Sequence, residues 1–219
     1  KDRNPARLLK DIKPAVLVTG GFYDAEDCYG AFKTYNEIKR LSPDCDLYLA
    51  AGPWYHGDWN NRKANHLAGA WFAEESGTYY LDNIEYPFFT YYLEGKGNAS
   101  AKVNVLPSCE TIRCKMEGVQ SAARWETYSS WPPSDAQPAK IFLSGTDSLN
   151  MSSQPDAMVF RTFTSDPANP VPYMDVKSSG RDRGYMAADQ RFASARGDVL
   201  TYSGTVLSDT LHLAGPVMA

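Results

Sequence analysis

Three carboxylates, Asp24, Glu26 and Asp27, fall within four residues in the stretch Gly20-Gly21-Phe22-Tyr23-Asp24-Ala25-Glu26-Asp27. An imidazole follows at His56, in Gly52-Pro53-Trp54-Tyr55-His56-Gly57. Such a pair can be the orienter and base of a nucleophilic triad, the carboxylate fixing the tautomer while the imidazole takes a proton from a serine. Glu26 and Asp27 raise a separate question, because clustered carboxylates repel one another unless a cation or donors balance them. A substrate ammonium, a calcium ion or a basic side chain from elsewhere in the fold would each do so. Calcium fits least, since the spacing is not that of an EF-hand loop. With no ligand at all, acidic residues ahead of a helix favour its positive end by about 0.3–1 kcal/mol each. A two-carboxylate glycosidase needs a separation of roughly 5–9 Å that a strand and a tight loop do not set. Tyr55, Trp54 and Trp59 flank His56 and can wall an apolar acyl pocket or simply belong to the core. His66 can line the same edge, whereas His212 lies in a strand-like run and needs no special role.

These side chains must be held by the elements before them. Residues 14–19 are a short β-branched run without polar alternation, which suits a central strand closed by Gly20-Gly21. Ala31, Phe32, Tyr35, Ile38 and Leu41 recur at helical spacing, and Ser42-Pro43 ends the segment. Leu47-Tyr48-Leu49-Ala50-Ala51 reads as a second buried strand, completing a right-handed β-α-β unit with parallel strands. Asp24 and His56 then leave the same carboxyl-terminal sheet edge, where α/β folds do chemistry. From Asn65 to Gly97 the pattern is helical and aromatic, with Pro87 opening the last helix and Gly95 stopping it. Residues 94–100 are small and polar and read as a linker. Beyond them, runs at 102–106, 139–143, 159–163 and 199–202, separated by Pro-rich turns, have the spacing of a β-sandwich.

Composition narrows the function classes. The chain has 219 residues, enough for two modest domains, and its 43% hydrophobic and 22% charged residues are those of a globular protein. A net charge of -4 with scattered basic residues excludes a nucleic-acid partner. Four cysteines without a CxxC pair, and three histidines, give no basis for structural zinc. Cys28 with Cys45, and Cys109 with Cys114, can pair, and buried thiols account for them equally well, so the cysteines leave the compartment open. No run approaches the ~20 apolar residues of a membrane span, and the first residues lack the apolar core of a signal peptide. Asn98-Ala99-Ser100 and Asn150-Met151-Ser152 fit the glycosylation triplet, which is common by chance.

The acid-before-base order is that of α/β-hydrolases, in which the nucleophile comes earlier still. No G-x-S-x-G occurs in the 219 residues, and the start at Lys1 leaves no preceding sheet to carry one. Six further motifs stand in order beside these: Gly-Pro-Trp-Tyr-His-Gly, Tyr-Pro-Phe-Phe-Thr-Tyr-Tyr-Leu-Glu-Gly-Lys-Gly, Trp-Pro-Pro, Ser-Asp-Pro-Ala-Asn-Pro-Val-Pro-Tyr, Asp-Gln-Arg-Phe-Ala and Leu-Ala-Gly-Pro-Val. Together the blocks run from Gly20 to Val217. The chain resembles the serine hydrolases related to cocaine esterase and X-prolyl dipeptidyl peptidase, and most of all the α-amino acid ester hydrolases and glutaryl-7-aminocephalosporanic acid acylases.

The resemblance implies the later part of an α/β-hydrolase domain over residues 1–98, followed by an incomplete jelly-roll β-sandwich over 99–219. It implies Asp24 as triad acid, His56 as triad base, and Glu26 and Asp27 as substrate-binding residues that meet an α-ammonium group; Tyr55, from its place beside His56, is the further candidate for substrate binding. No metal or cofactor is implied. The implied substrate is a small ester or amide of an α-amino acid, β-lactam acyl side chains included, with the implied serine outside this chain. By itself the chain is then expected to lack acyl-transfer activity, and its unpaired sheet edge favours self-association. A periplasmic or secreted location is favoured over a cytoplasmic one. A carboxylesterase or dipeptidyl peptidase of the same family is the nearest alternative. A binding module, with a sandwich that holds carbohydrate or a partner protein, is the alternative from another class.

Overall fold

The computed structural model describes residues 4–68, 70–72, 75–108, 124–151, 160–177, 179–180, 182–209 and 211–218. Two compact units divide the chain, Lys1–Ser134 and Asp135–Ala219.

The first unit is built on a four-stranded sheet. Strands β1 (Val16–Gly21) and β2 (Leu47–Gly52) run parallel in register from Val16↔Leu47 to Gly21↔Gly52, joined by helix α1 (Cys28–Leu41). This is the β-α-β unit expected from the apolar runs, with Gly20 and Gly21 inside the first strand rather than after it. Helix α1 buries Tyr35 and Ile38, while Glu37 on its outer side takes Lys33 and Arg40, each at 2.6 Å. Ser42 ends it: its N–H donates to Ile38 O (2.8 Å), and its hydroxyl accepts from Ile12 N (3.0 Å) and donates to Leu9 O (3.1 Å).

Successive β2 residues face opposite ways, as the pleat requires. Leu49 and Ala51 enter a core with Val18, Tyr35, Ile38 and Trp131, and Ala50 enters a second core with Trp54, Ala64, Tyr80 and Ile84. The second core is covered by one helical rod: α2 (Ser76–Tyr80), a π-helical segment Leu81–Glu85, α3 (Tyr86–Phe89) and a second π-helical segment Thr90–Glu94. Pro87, with no N–H to give, sits between the two wide turns, so the rod passes through it instead of starting there. Gly95 at φ 66° stops the rod, as its place in the sequence predicts. Helix does not begin at Asn65: β3 (His66–Leu67) and β4 (Ala70–Trp71) form a two-residue antiparallel pair first.

Strand β5 (Val103–Val105) pairs parallel with β2, and β6 (Glu126–Tyr128) pairs antiparallel with β5. The run at 102–106, assigned from sequence to the sandwich, therefore belongs to the first sheet, and the division between units falls after Ser134 instead of after residue 98. The cause is burial: Val103, Val105 and Leu106 are at most 3% exposed, and the two valines lie in the core with Leu49.

In the second unit β7 (Phe142–Leu143) pairs antiparallel with β8 (Leu149–Asn150), and Ser148 bridges Ser203. A 3-10 turn (Arg183–Ala187) and helix α4 (Arg191–Ser194) follow, with Tyr173 against Tyr185 and Arg196 paired to Asp198. Residues 160–163 and 199–202, expected as strands, lie outside any ladder, and Val159 is outside the described residues. Among the described residues of this unit Ala193 is the only buried hydrophobic one.

Cys28 and Cys45 are free thiols and not a pair. Cys28 Sγ faces Phe22 O at 3.9 Å, and Cys45 Sγ, ahead of β2, faces Pro14 O of the segment ahead of β1 at 3.5 Å. Cys109 and Cys114 lie outside the described residues.

Candidate active site

Because β1 and β2 are parallel neighbours that end level at Gly21↔Gly52, the loops after them emerge at one edge. The ladder continues into both loops, with Phe22 N donating to Gly52 O (2.8 Å) and Tyr23 N to Trp54 O (3.1 Å). The chain then turns sharply, Asp24 N donating back to Gly21 O (3.2 Å), and Cys28 N donates to Asp24 O (3.2 Å) at the start of α1. On the other loop Gly57, at φ 79°, turns the chain into Asp58–Asn60 directly after His56.

Asp24 and His56 meet. Asp24 Oδ2 stands 2.9 Å from His56 Nδ1, and Asp24 Oδ1 accepts from the backbone N–H of Glu26 (2.8 Å) and Asp27 (3.0 Å). The Asp24 side chain is 3% exposed and that of His56 53%. Burial alone would push the Asp24 carboxyl up, but the two amides and the imidazole outweigh it and hold it below its ordinary value. The imidazole is raised, first by its hydrogen bond to Asp24 and by that carboxylate's charge, with Glu26 and Asp27 adding to the effect. The carboxylate is thus fixed, ionised and shielded, while the imidazole reaches solvent with Nδ1 occupied by the carboxylate.

The other expected residues surround this pair. Glu26 and Asp27 are exposed and close enough for their charge to act on His56. The Asp27 carboxylate lies over Gly30, where a Cβ would come within 1.7 Å of its Oδ1. Burial pushes the Cys28 thiol up, and the charges of Asp24 and Asp27 push it further. Tyr55 is half-buried beside His56, its carbonyl taking the N–H of Asp58 (3.1 Å). Trp59 meets the His56 ring edge-on at 6.4 Å. His66 is exposed and bonded through Nδ1 to Asn65 (2.9 Å), and His212 is exposed. Among the described residues no group of three or more His, Cys, Asp or Glu is placed to hold a metal ion, and no helix is long and apolar enough to cross a membrane.

Of the two alternatives the sequence leaves for Trp54, pocket wall or core, the structure has the core, and it adds a residue the sequence reading did not single out, Ser76. Trp54 is wholly buried, its indole N–H donating to Ser76 Oγ at 3.0 Å, and the Ser76 hydroxyl is held in turn by Ala64 O. The signal available was Gly-Pro-Trp itself, a large side chain at a fixed offset before His56.

No family model matches the chain. In sequence it is 27% identical over 222 aligned residues to "Cocaine esterase" of Rhodococcus sp. (strain MB1 Bresler), covering 96% of this chain and 36% of that protein. In structure it is similar to an α-amino acid ester hydrolase, with a TM-score of 0.78 and 24% identity over 96% of this chain and 34% of the other. It is also similar to an aminopeptidase from the marine sediment archaeon Thaumarchaeota archaeon, with a TM-score of 0.70 and 24% identity over 87% of this chain and 30% of the other. The chain spans about a third of the length of these relatives. The resemblance read from the motifs is met in both comparisons: the chain is a homologue of cocaine esterase over nearly its whole length and has the fold of the corresponding third of an α-amino acid ester hydrolase.

Proposed function

We propose that this chain supplies the acid and the base of a serine-hydrolase site that cleaves esters or amides of α-amino acids, β-lactam acyl side chains among them. The nucleophilic serine lies outside these 219 residues. The observation that carries the reading is the 2.9 Å bond between buried Asp24 Oδ2 and half-exposed His56 Nδ1. Similarity to an esterase in sequence and to an ester hydrolase in fold supports the reaction class.

His56 takes the serine proton as the oxygen attacks the acyl carbon, passes it to the leaving group, and then takes a proton from water for deacylation. Asp24 keeps Nδ1 protonated and stabilises the imidazolium formed at each transfer. Glu26 and Asp27, exposed beside the imidazole, select acyl groups with a free α-ammonium through charge-assisted hydrogen bonds. Tyr55 lines the acyl side. The first unit is the hydrolase part and Asp135–Ala219 the β-sandwich part.

The test compares the 219-residue chain with the longer protein that carries the serine. The longer protein hydrolyses an α-amino acid ester and loses that activity with His56→Ala, while the 219-residue chain alone is inactive. Hydrolysis by the short chain that His56→Ala abolishes would overturn the assignment of the serine. Full turnover by the longer His56→Ala variant would overturn the site.

A further inference from the structure

We infer that Trp54 is the positioning residue of the site, a joint that ties the acid loop to the base loop and sets the meeting of Asp24 with His56. The role rests on reading those two residues as acid and base, and the geometry that supports it has three parts.

The first part is the backbone. Trp54 O accepts the N–H of Tyr23, the residue just before Asp24, at 3.1 Å, while Trp54 itself stands two residues before His56. Next to the Phe22 N–Gly52 O bond (2.8 Å), this carbonyl is the tie nearest the two side chains and carries the strand pairing out into both loops. The approach is close enough that a Cβ on Gly21 would fall 2.1 Å from that same oxygen, so the contact depends on glycine there.

The second part is the side chain. A loop carbonyl holds a neighbouring loop only as firmly as its own residue is held, and Trp54 is 0% exposed. Its indole N–H donates to Ser76 Oγ at 3.0 Å, and Ser76, at the first position of α2, is itself buried and donates to Ala64 O. The hydroxyl's one hydrogen and one of its lone pairs are thereby used, which fixes it in a single orientation. Gly77 next to it packs so tightly that a Cβ would meet Asn61 O at 1.8 Å, so the rod cannot slide along the 61–64 loop.

The third part is the rings. Trp54 contacts Tyr80 at 5.6 Å, Trp125 at 5.7 Å and Trp59 at 6.2 Å, and Trp59 in turn stands edge-on to His56 at 6.4 Å. The imidazole is located from two sides by one residue: along the chain through Tyr55, and across space through Trp59. Trp54 touches no reacting atom, so its contribution is geometric.

The experiment uses the 219-residue chain and reads His56 directly, by its NMR titration and its Nδ1 proton resonance. Trp54→Phe removes the indole N–H and Ser76→Ala removes its acceptor. Either change is expected to lower the His56 pKa toward the ordinary ~6.5 and to broaden or abolish the Nδ1 resonance. The double variant is expected to do no more than either single one, since both delete the same bond. Val103→Ala, a cavity in the other core, serves as control: it lowers the melting temperature and leaves the His56 titration in place. In the serine-bearing protein the same two variants are expected to lower kcat by up to a hundredfold with KM little changed, as a displaced base does.

An unchanged His56 titration in folded Trp54→Phe and Ser76→Ala would overturn the positioning role, and so would failure of both variants to fold, which would make the tryptophan structural only. A shifted titration together with absence of hydrolase activity in the serine-bearing protein would instead overturn the proposed function and leave the joint standing.

Discussion

Gly21 and Trp54 approach so closely that a methyl group on the glycine would sit 2.1 Å from the tryptophan's carbonyl oxygen. The glycine ends β1, three residues before Asp24, and the tryptophan stands two residues before His56, so this close approach of backbone lies at the root of both loops.

Gly21→Ala is therefore expected to force the loops apart. The nearest atom is a backbone carbonyl oxygen, which cannot swing aside as a flexible side chain would, and overpacking of this kind costs about 1–3 kcal/mol. Denaturant unfolding of the 219-residue chain, wild type against variant, measures the loss. A midpoint unchanged within error would show that the strand ends separate without penalty.

Asp24→Asn tests the tautomer. Oδ1 of Asp24 faces two amide N–H groups, so the oxygen of an asparagine must take that place, leaving its NH2 toward His56 Nδ1. The imidazole is then driven to the tautomer with its proton on Nε2, which cannot accept one from a serine. A loss of about ten-thousand-fold in kcat is expected in the serine-bearing protein, as in other triads, with the fold intact by circular dichroism. Activity within tenfold of wild type would count against Asp24 as the orienter.

The pair also sets a pH dependence. His56 is raised in the folded chain, so its contribution to stability is complete below the unfolded value of about 6.5 and is lost as pH rises through the folded value. Asp24 is lowered, so its contribution is complete above about 3.9 and is lost as pH falls through the folded value. The charged pair thus stabilises most between about pH 4 and about pH 6.5. Melting curves of wild type and His56→Gln should differ most in that window and converge above it. Base catalysis needs the neutral ring, so kcat/KM should rise with a midpoint above 6.5, and a midpoint well below it would contradict the shift.

Selectivity for an amine is separable from the chemistry. Glu26→Gln with Asp27→Asn in the serine-bearing protein should weaken turnover of an α-amino ester by ten- to a hundredfold, about 1.4–3 kcal/mol for a charge-assisted contact. The matching ester without the amine should be nearly unaffected. Equal losses on both substrates would remove these carboxylates from substrate recognition.

The division between units can be tested by truncation. A chain ending at residue 98 lacks Val103, Val105 and Trp131, three members of the core shared by β1, β2 and α1. It should unfold without a cooperative transition, whereas a chain ending at Ser134 should melt as one unit. Cooperative melting of the shorter chain would restore the earlier boundary.

Much of this was legible in the residues themselves. The β1-α1-β2 unit follows from unbroken apolar runs around a helix of 3.6 periodicity, and placing Asp24 and His56 at one edge needs only that parallel strands end level. The position of β5 was not legible, because Val103-Asn104-Val105 alternates in the same way whichever sheet receives it, and the polar stretch before it looks like a linker while being a loop within one unit. Neither was the β3–β4 pair: two residues per strand carry too little pattern to stand against the aromatic periodicity that follows. For Trp54 the sequence leaves pocket wall and core open, because an aromatic beside a strand end serves either, and its burial and its bond to Ser76 decide for the core.

Six registered pairs hold β1 against β2. The smallest slip that keeps the same residues facing each core is two positions, about 6.6 Å along the strand, more than twice the 2.9 Å between Asp24 and His56. A misregistered molecule could look native in helix and strand content and still hold its acid out of reach of its base. The proton shared by those two side chains is therefore a marker of folding fidelity, present only in molecules whose strands have aligned correctly.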